Sequence, residues 1–226
     1  MLILAIDTSG QSGGLTLAEA DATGFRVIES AVIAGGTFSA QLIPTLAELL
    51  KKHGYRAMDI GGFAAASGPG TFTGLRVGLS AIKGLAEALH QPIVTVSVLE
   101  AMASLADHQG TIAAAMDAGR KEIFLGVFEK SELALIKQSE ELLSQASFLA
   151  RLKNQEPVWF VTSDAPLAEL AAESNSAVTV VARPGSDVIA RIGAGKLLAG
   201  ETVLVEELDA NYLRRSDAEI AFKGKL

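Results

Sequence analysis

The sequence predicts an α/β protein of two lobes, each built from three antiparallel strands followed by alternating helices and strands. Three observations predict it. Short apolar runs separated by polar or Gly-containing turns open the chain, runs of helical and strand character alternate from about Ser39 onward, and the same order recurs from Thr111 without sequence identity. Such an order argues for a mixed sheet with helices on its faces. Two copies place the lobes at 1–100 and 101–226, with a cleft between them.

In order along the first lobe, Leu2–Ile6 is a short apolar run ended by Asp7-Thr8-Ser9-Gly10, and Gly14–Ala18 and Phe25–Ile33 complete the meander. Ser39 to Lys52 carries Leu42, Ile43, Leu46, Leu49 and Leu50 at helical spacing, with Ser39 as N-cap, Gly54 as stop, and Pro44 bending the helix or moving its start. A strand at Gly62–Ala66, a Gly/Pro loop at Ser67–Gly70, a helix from about Thr73 to His90 and a strand at Ile93–Val98 finish the lobe. The second lobe reads as strands at Thr111–Met116, Glu122–Phe128 and Leu133–Ile136, a helix near Leu142–Leu152, a strand at Val158–Thr162, a helix near Leu167–Ala172 and a strand at Val178–Val181.

Composition narrows the function. The 226 residues carry 19 Lys and Arg against 26 Asp and Glu, a net charge of −7, whereas a protein that holds nucleic acid alone presents a basic face to displace counterions. With no cysteine there is no disulfide framework, thiolate metal site or cysteine nucleophile, as suits the cytosol. The N-terminal apolar run is too short for a signal peptide and no stretch is long enough for a membrane helix, so a cytoplasmic protein with no membrane contact is expected.

Enzyme motifs are sparse. His53, His90 and His108 are the only histidines and form no His-Glu-x-x-His element; a hydrolase Gly-x-Ser-x-Gly elbow is also expected to be missing. Asp7 and Asp117 each end a first strand, either as paired acids for Mg²⁺ and nucleotide phosphates or as turn residues capping the backbone. The turn after Asp7 has no Lys or Arg to neutralise a phosphate, while Asp117-Ala-Gly-Arg120 supplies one arginine. The densest segment, Ser67-Gly-Pro-Gly-Thr-Phe-Thr-Gly-Leu-Arg-Val-Gly78, reads either as an anion site at a helix start or as a plain strand-to-helix turn capped by Thr71 or Thr73; it lacks the Gly-Lys-Ser/Thr of a P-loop. No catalytic, cofactor-binding or metal residue is assigned.

The helix that follows steps Leu75, Leu79, Ile82, Ala86 and Leu89 by 4, 3, 4 and 3, with small residues at Gly74 and Gly78 and at Ser80, Gly84 and Ala88. Glycine costs about 1 kcal/mol in a helix interior relative to Ala, so three of them need a packing reason. One reading lays this helix flat on its own sheet. The other, preferred because a leucine seam and a second small-residue face are hard to bury on one sheet, makes a helix–helix interface with a partner from Leu42, Leu46, Leu49, Gly74, Leu75, Arg76, Gly78, Leu79 and Ile82. The closing segment Asp209–Ala218 reads as a packing tail through Tyr212 and Leu213 or as a basic docking tail through Arg214, Arg215, Lys223 and Lys225.

Several strings together resemble the bacterial TsaB (YeaZ) family: Ile3-Leu-Ala-Ile-Asp-Thr-Ser9, Ser67–Gly84 with its Gly-Pro-Gly-Thr-Phe-Thr-Gly-Leu-Arg-Val-Gly core, Ser97-Val-Leu-Glu-Ala101, Met116-Asp-Ala-Gly-Arg120 and Tyr212-Leu-Arg214. The resemblance implies the two-lobed fold of actin, sugar kinases and Hsp70 ATPases, with duplicated βββαβαβ (RNase H-like) lobes. It also implies a non-catalytic scaffold subunit of the machinery that makes threonylcarbamoyladenosine in tRNA, pairing with TsaD through the two N-terminal-lobe helices, joined by TsaE, and a homodimer when alone. tRNA is then met only indirectly, and the metal histidines of TsaD have no counterpart. Phe38 and Ala210 stand where such proteins commonly have His and Pro. The alternatives carried forward are a stand-alone ATP-dependent phosphotransferase or glycoprotease-like hydrolase of the same fold, and a self-contained homodimeric binding module.

Overall fold

A computed structural model describes residues 1–154, 159–173, 177–211 and 213. Along the chain run β1 (Leu2–Asp7), β2 (Ser12–Asp21), β3 (Gly24–Ala34), α1 (Phe38–Lys52), a 3₁₀ turn (Ala57–Asp59), β4 (Ile60–Gly68), α2 (Phe72–Leu89) and β5 (Ile93–Ser97). These are followed by α3 (Val98–Ser104), β6 (Gly110–Gly119), β7 (Glu122–Lys130), β8 (Leu135–Ser144), α4 (Gln145–Asn154), β9 (Trp159–Thr162), α5 (Ala165–Ala172), β10 (Ala177–Val180) and α6 (Ser186–Ala199). The first sheet has the order β3-β2-β1-β4-β5 and the second β8-β7-β6-β9-β10. In both, the meander strands are antiparallel and the last two strands parallel to the first. The duplicated α/β lobe is the one expected.

The described residues divide into two compact units, 1–98 with 184–211 and 99–183. Residues 184–211, assigned by sequence to the second lobe, therefore return to the first. Tyr212, Arg214, Arg215, Lys223 and Lys225 of the expected tail lie outside the described residues; Leu208 and Ala210 just before them are buried in the first unit's core.

In the first unit, Leu2, Leu4 and Ile6 of β1 share one core with Leu15, Leu17 and Phe63, with Leu42, Leu46, Leu49 and Leu50 of α1, and with Leu75, Leu79, Ile82 and Ala86 of α2. The residues between them on β1 point to the opposite face by the two-residue period of a strand. That face is covered by α6, which the sequence reading missed. It packs on β1, β2, β4 and β5, with Thr16 Oγ1 bonded to Ser186 Oγ at 2.8 Å and Lys196 Nζ donating to the Thr95 carbonyl. α6 uses Ser186, Ala190, Gly193 and Ala194 as its buried residues beside Ile189 and Leu197, so a small-residue contact replaces the leucine periodicity that marks α1 and α2.

In the second unit, the inward stripe of α4 and α5 meets β6, β7 and β9 through Phe148, Leu167 and Ala171 against Ala113, Ala115, Ile123, Leu125 and Phe160. The expected helix start at Leu142 is wrong: Leu142 and Leu143 end β8, paired with Phe124 and Ile123. β8 is an edge strand whose Lys137, Gln138, Glu140 and Glu141 hide its period, charged residues being the common way to blunt an edge. Leu133, expected in the strand, is 97% exposed in the turn before it. Among the described residues no helix is long and apolar enough to cross a membrane.

The fit of α6 yields a paired test. A Cβ on Gly193 would stand 2.4 Å from Ala64 Cβ, whereas one on Gly195 meets nothing within 4 Å. Gly193→Leu is expected to lower stability by about 2–3 kcal/mol through overpacking, and Gly195→Ala to raise it by up to ~1 kcal/mol through helix propensity, both read by urea unfolding.

Candidate functional site

The most constrained place in the first unit is where the turn after β1 meets the start of α2. The Thr8 hydroxyl donates to the Gly74 carbonyl at 2.7 Å in a buried bond, and the Thr71 N–H donates to the Ser9 carbonyl at 2.7 Å. Those bonds need backbone against backbone. A Cβ on Gly70 would stand 2.4 Å from the Ser9 carbonyl oxygen, one on Gly74 2.0 Å from that of Thr8, and one on Gly78 2.3 Å from Thr8 Oγ1. The glycines of the dense segment are therefore explained within the chain. Thr71 is the N-cap of α2 in extended conformation, and its side chain makes no capping bond.

Most of the residues expected at a partner interface are packed inside this chain. Leu42, Leu46 and Leu49 of α1 and Leu75, Leu79 and Ile82 of α2 are each less than a tenth exposed, and Gly74 and Gly78 face the turn at Thr8. Burying a leucine stabilises by roughly 1.5–3 kcal/mol, more than a helical glycine costs, so the seam goes to the chain's own core. Of the nine residues only Arg76 is exposed, its guanidinium 3.8 Å from the centre of the Phe72 ring. Exposed on the two helices are other residues, among them Ala40, Ile43, Pro44, Ala47 and Glu48 on α1, and Ser80, Gly84, Glu87 and Ala88 on α2. Ile43 is 50% exposed, and a Cβ on Gly84 meets nothing within 4 Å. The heptad count on α2 found the inward stripe; the small residues at Ser80, Gly84 and Ala88 were the sequence signal for the outward one.

A shallow depression of about 360 Å³ lies at the N-terminal ends of α1 and α2, lined by Gly10, Gln11, Phe38, Ser39, Thr73 and Val77 among others. Phe38 is buried there as the first residue of α1, which begins after Thr37 and runs through Pro44 unbroken. The acids that end the first strands both close turns. Asp7 is buried and accepts from the Ser9 N–H at 2.8 Å; Asp117 is exposed and accepts from the Gly119 N–H at 2.8 Å. A Gly-x-Ser-x-Gly string does occur, at Gly10-Gln-Ser-Gly-Gly14, contrary to expectation, but it is the turn from β1 into β2 and lacks the strand-to-helix context of a nucleophile elbow.

At its other end α1 is tied to β3. Lys52 Nζ donates to Glu29 Oε1 at 2.8 Å and His53 Nε2 lies 2.7 Å from Glu29 Oε2. The hydrogen bonds from Lys52 and then His53 hold the Glu29 carboxyl below the ordinary carboxylate range.

Two outcomes are expected. Gly78→Leu drives a side chain into Thr8 and costs the fold about 3 kcal/mol, seen as a lowered urea midpoint before any partner is added. Because the pKa of Glu29 is depressed in the folded state, its contribution is present above the unfolded carboxylate value and is lost as pH falls through the folded one. The melting-temperature gap between the native chain and Glu29→Gln is therefore expected to be open at pH 7 and to close toward pH 3.

Comparison with known proteins places this geometry in a family. The family model described as "TsaD: tRNA N6-adenosine threonylcarbamoyltransferase" matches residues 32–222. The tRNA threonylcarbamoyladenosine biosynthesis protein TsaB of Bacillus subtilis is 29% identical over 97% of this chain and 96% of its own length, and that of Escherichia coli 27% identical over the whole of both. A Gluconobacter oxydans tRNA N6-adenosine threonylcarbamoyltransferase is 52% identical, but over only 26% of this chain and 16% of its own length. YeaZ from Pseudomonas aeruginosa has the same fold, with a TM-score of 0.72 at 22% identity over 93% of this chain and all of its own. Because the end-to-end matches are to TsaB and those to the transferase are local, the chain belongs to the family this model describes and, within it, to the TsaB (YeaZ) proteins of tRNA threonylcarbamoyladenosine biosynthesis.

Proposed function

We propose that the chain is a non-catalytic subunit that pairs with TsaD through the outward face of α1 and α2 and supports transfer of a threonylcarbamoyl group to N6 of an adenosine in tRNA. The observation that carries this reading is Gly84. It sits inside an 18-residue helix where no neighbour of its own chain requires a missing side chain, at a cost of about 1 kcal/mol. Flanked one turn on either side by Ser80 and Ala88, it lets a second backbone come close, the role small residues at this period play between helices. Half-exposed Ile43 on α1 supplies a further apolar side chain.

The relatives named for threonylcarbamoyladenosine biosynthesis support the pathway, and the local likeness to transferases named for the same modification is consistent with TsaD as the partner. Pairing acts by favouring the partner's active arrangement, a difference in affinity between its conformations. The same face joins two copies of the chain when TsaD is absent, and TsaE joins the TsaD pair. With a net charge of −7, most contacts to tRNA fall to the partners.

The test is size-exclusion chromatography with light scattering, with and without TsaD. Gly84→Leu is expected to fold with an unchanged or higher melting temperature and to lose the heterodimer, with threonylcarbamoylation of tRNA by the reconstituted proteins falling in step. Ile43→Glu is expected to weaken pairing at least tenfold. Full pairing by both variants would overturn the assignment of this face.

A further inference from the structure

Residues 201–211 leave the end of α6 through Gly200, whose φ of 75° turns the chain, and cross the first unit to the start of α2 without forming a helix or strand of their own. Main-chain bonds fix them to the sheet at two places. The Val203 N–H donates to the Ile93 carbonyl at 2.9 Å as an isolated bridge on β5, and the Asn211 N–H donates to the Ser67 carbonyl at 2.8 Å. Between these points Leu208 and Ala210 are buried in the core cluster that also holds Leu75, Leu79 and Ile82 of α2.

The far end of this segment stands against the loop that starts α2. A Cβ on Gly68 would lie 3.0 Å from Leu75 Cδ1 and 3.5 Å from the Asn211 carbonyl oxygen, so Asn211, the loop and the first turn of α2 meet at one point. The Thr8-Ser9 turn is one hold on that helix end, and the segment is a second. Its attachment is light. Parts of a fold that open separately from the rest have few buried apolar contacts and much exposed backbone, and here Leu208 and Ala210, with half-buried Val203 and Val205, are the apolar anchors. Glu201, Glu206, Glu207 and Asp209 are exposed, and the segment has no Lys or Arg. Their mutual repulsion works against the closed form.

We propose that residues 201–211 are a detachable strap that gates pairing. Seated, the strap backs the Ser67–Gly70 loop and holds α2 where its exposed face can be met; released, it leaves the first turn of α2 without that hold. The gate rests on the reading that α1 and α2 carry the pairing face, and it acts by changing the fraction of chains competent to pair.

The test is hydrogen exchange on the full chain together with its affinity for TsaD. In the native chain the amides of Val203, Asn211 and Leu75 are expected to open together, more readily than those of β1 and β2. Leu208→Asp puts a fifth carboxylate on the strap in place of its main anchor. It is expected to speed exchange at those three amides at least tenfold, to leave β1 and β2 protected, and to weaken TsaD binding about tenfold or more, while Leu208→Met restores both. Saturating TsaD is expected to slow exchange at Val203 and Asn211 in the native chain, since the coupling is reciprocal. Fast exchange of the strap with unchanged TsaD affinity would overturn the proposal. So would loss of protection in β1 and β2, or failure of Leu208→Asp to fold, which would make the segment ordinary core. If Gly84→Leu pairs in full, the reading of the preceding section falls; whether Leu75 still opens with Val203 and Asn211 then decides if the strap holds α2 at all.

Discussion

The close approach of the Thr8-Ser9 turn to the first turns of α2 is the constraint on which the first unit depends. Gly70, Gly74 and Gly78 stand four residues apart, and each would carry a Cβ within 2.4 Å of an atom of Thr8 or Ser9. Without side chains there, the Thr8 hydroxyl reaches the Gly74 carbonyl and the Ser9 carbonyl takes the Thr71 N–H. The helix is thereby fixed in rotation. Leu75, Leu79 and Ile82 must then enter the core, and Ser80, Gly84 and Ala88 must face away. The exposed face of α2 is a consequence of a buried contact two turns earlier in the same helix.

The opposite face of the sheet is closed by chain from beyond the second unit. Thr16, Gly62 and Ala64 are small, and α6 answers with Ser186, Gly193 and Leu197 close against them. Because α6 begins at Ser186, the first unit cannot complete its core until the second unit has been traversed. The first unit is therefore not continuous in sequence, although each unit has the same strand order.

How much of this was legible in the sequence follows from which signals are periodic. The leucine stripes of α1 and α2, the meander strands and the recurrence of the lobe depend on apolar spacing and could be read directly. α6 could not, because a helix on a small-residue face buries Ala and Gly in place of a leucine row, and β8 could not, because its edge position is written in charge. The role of the leucine seam was not legible: apolar residues at a seam period are equally those of a core, and burial puts Leu42, Leu46, Leu49, Leu75, Leu79 and Ile82 in the core.

An open space beside a helical glycine does not alone mark a contact surface, because Gly195 of α6 also has nothing within 4 Å of its missing Cβ. The residues one turn away separate the two cases. Before Gly195 stands Arg191, a long side chain whose guanidinium lies 4.7 Å from the centre of the Phe25 ring. Around Gly84 stand Ser80 and Ala88, so the low surface continues over two turns and a neighbouring helix can lie along it. At Gly195 the fold tolerates a glycine beside a long side chain; at Gly84 the residues one turn to either side are small as well.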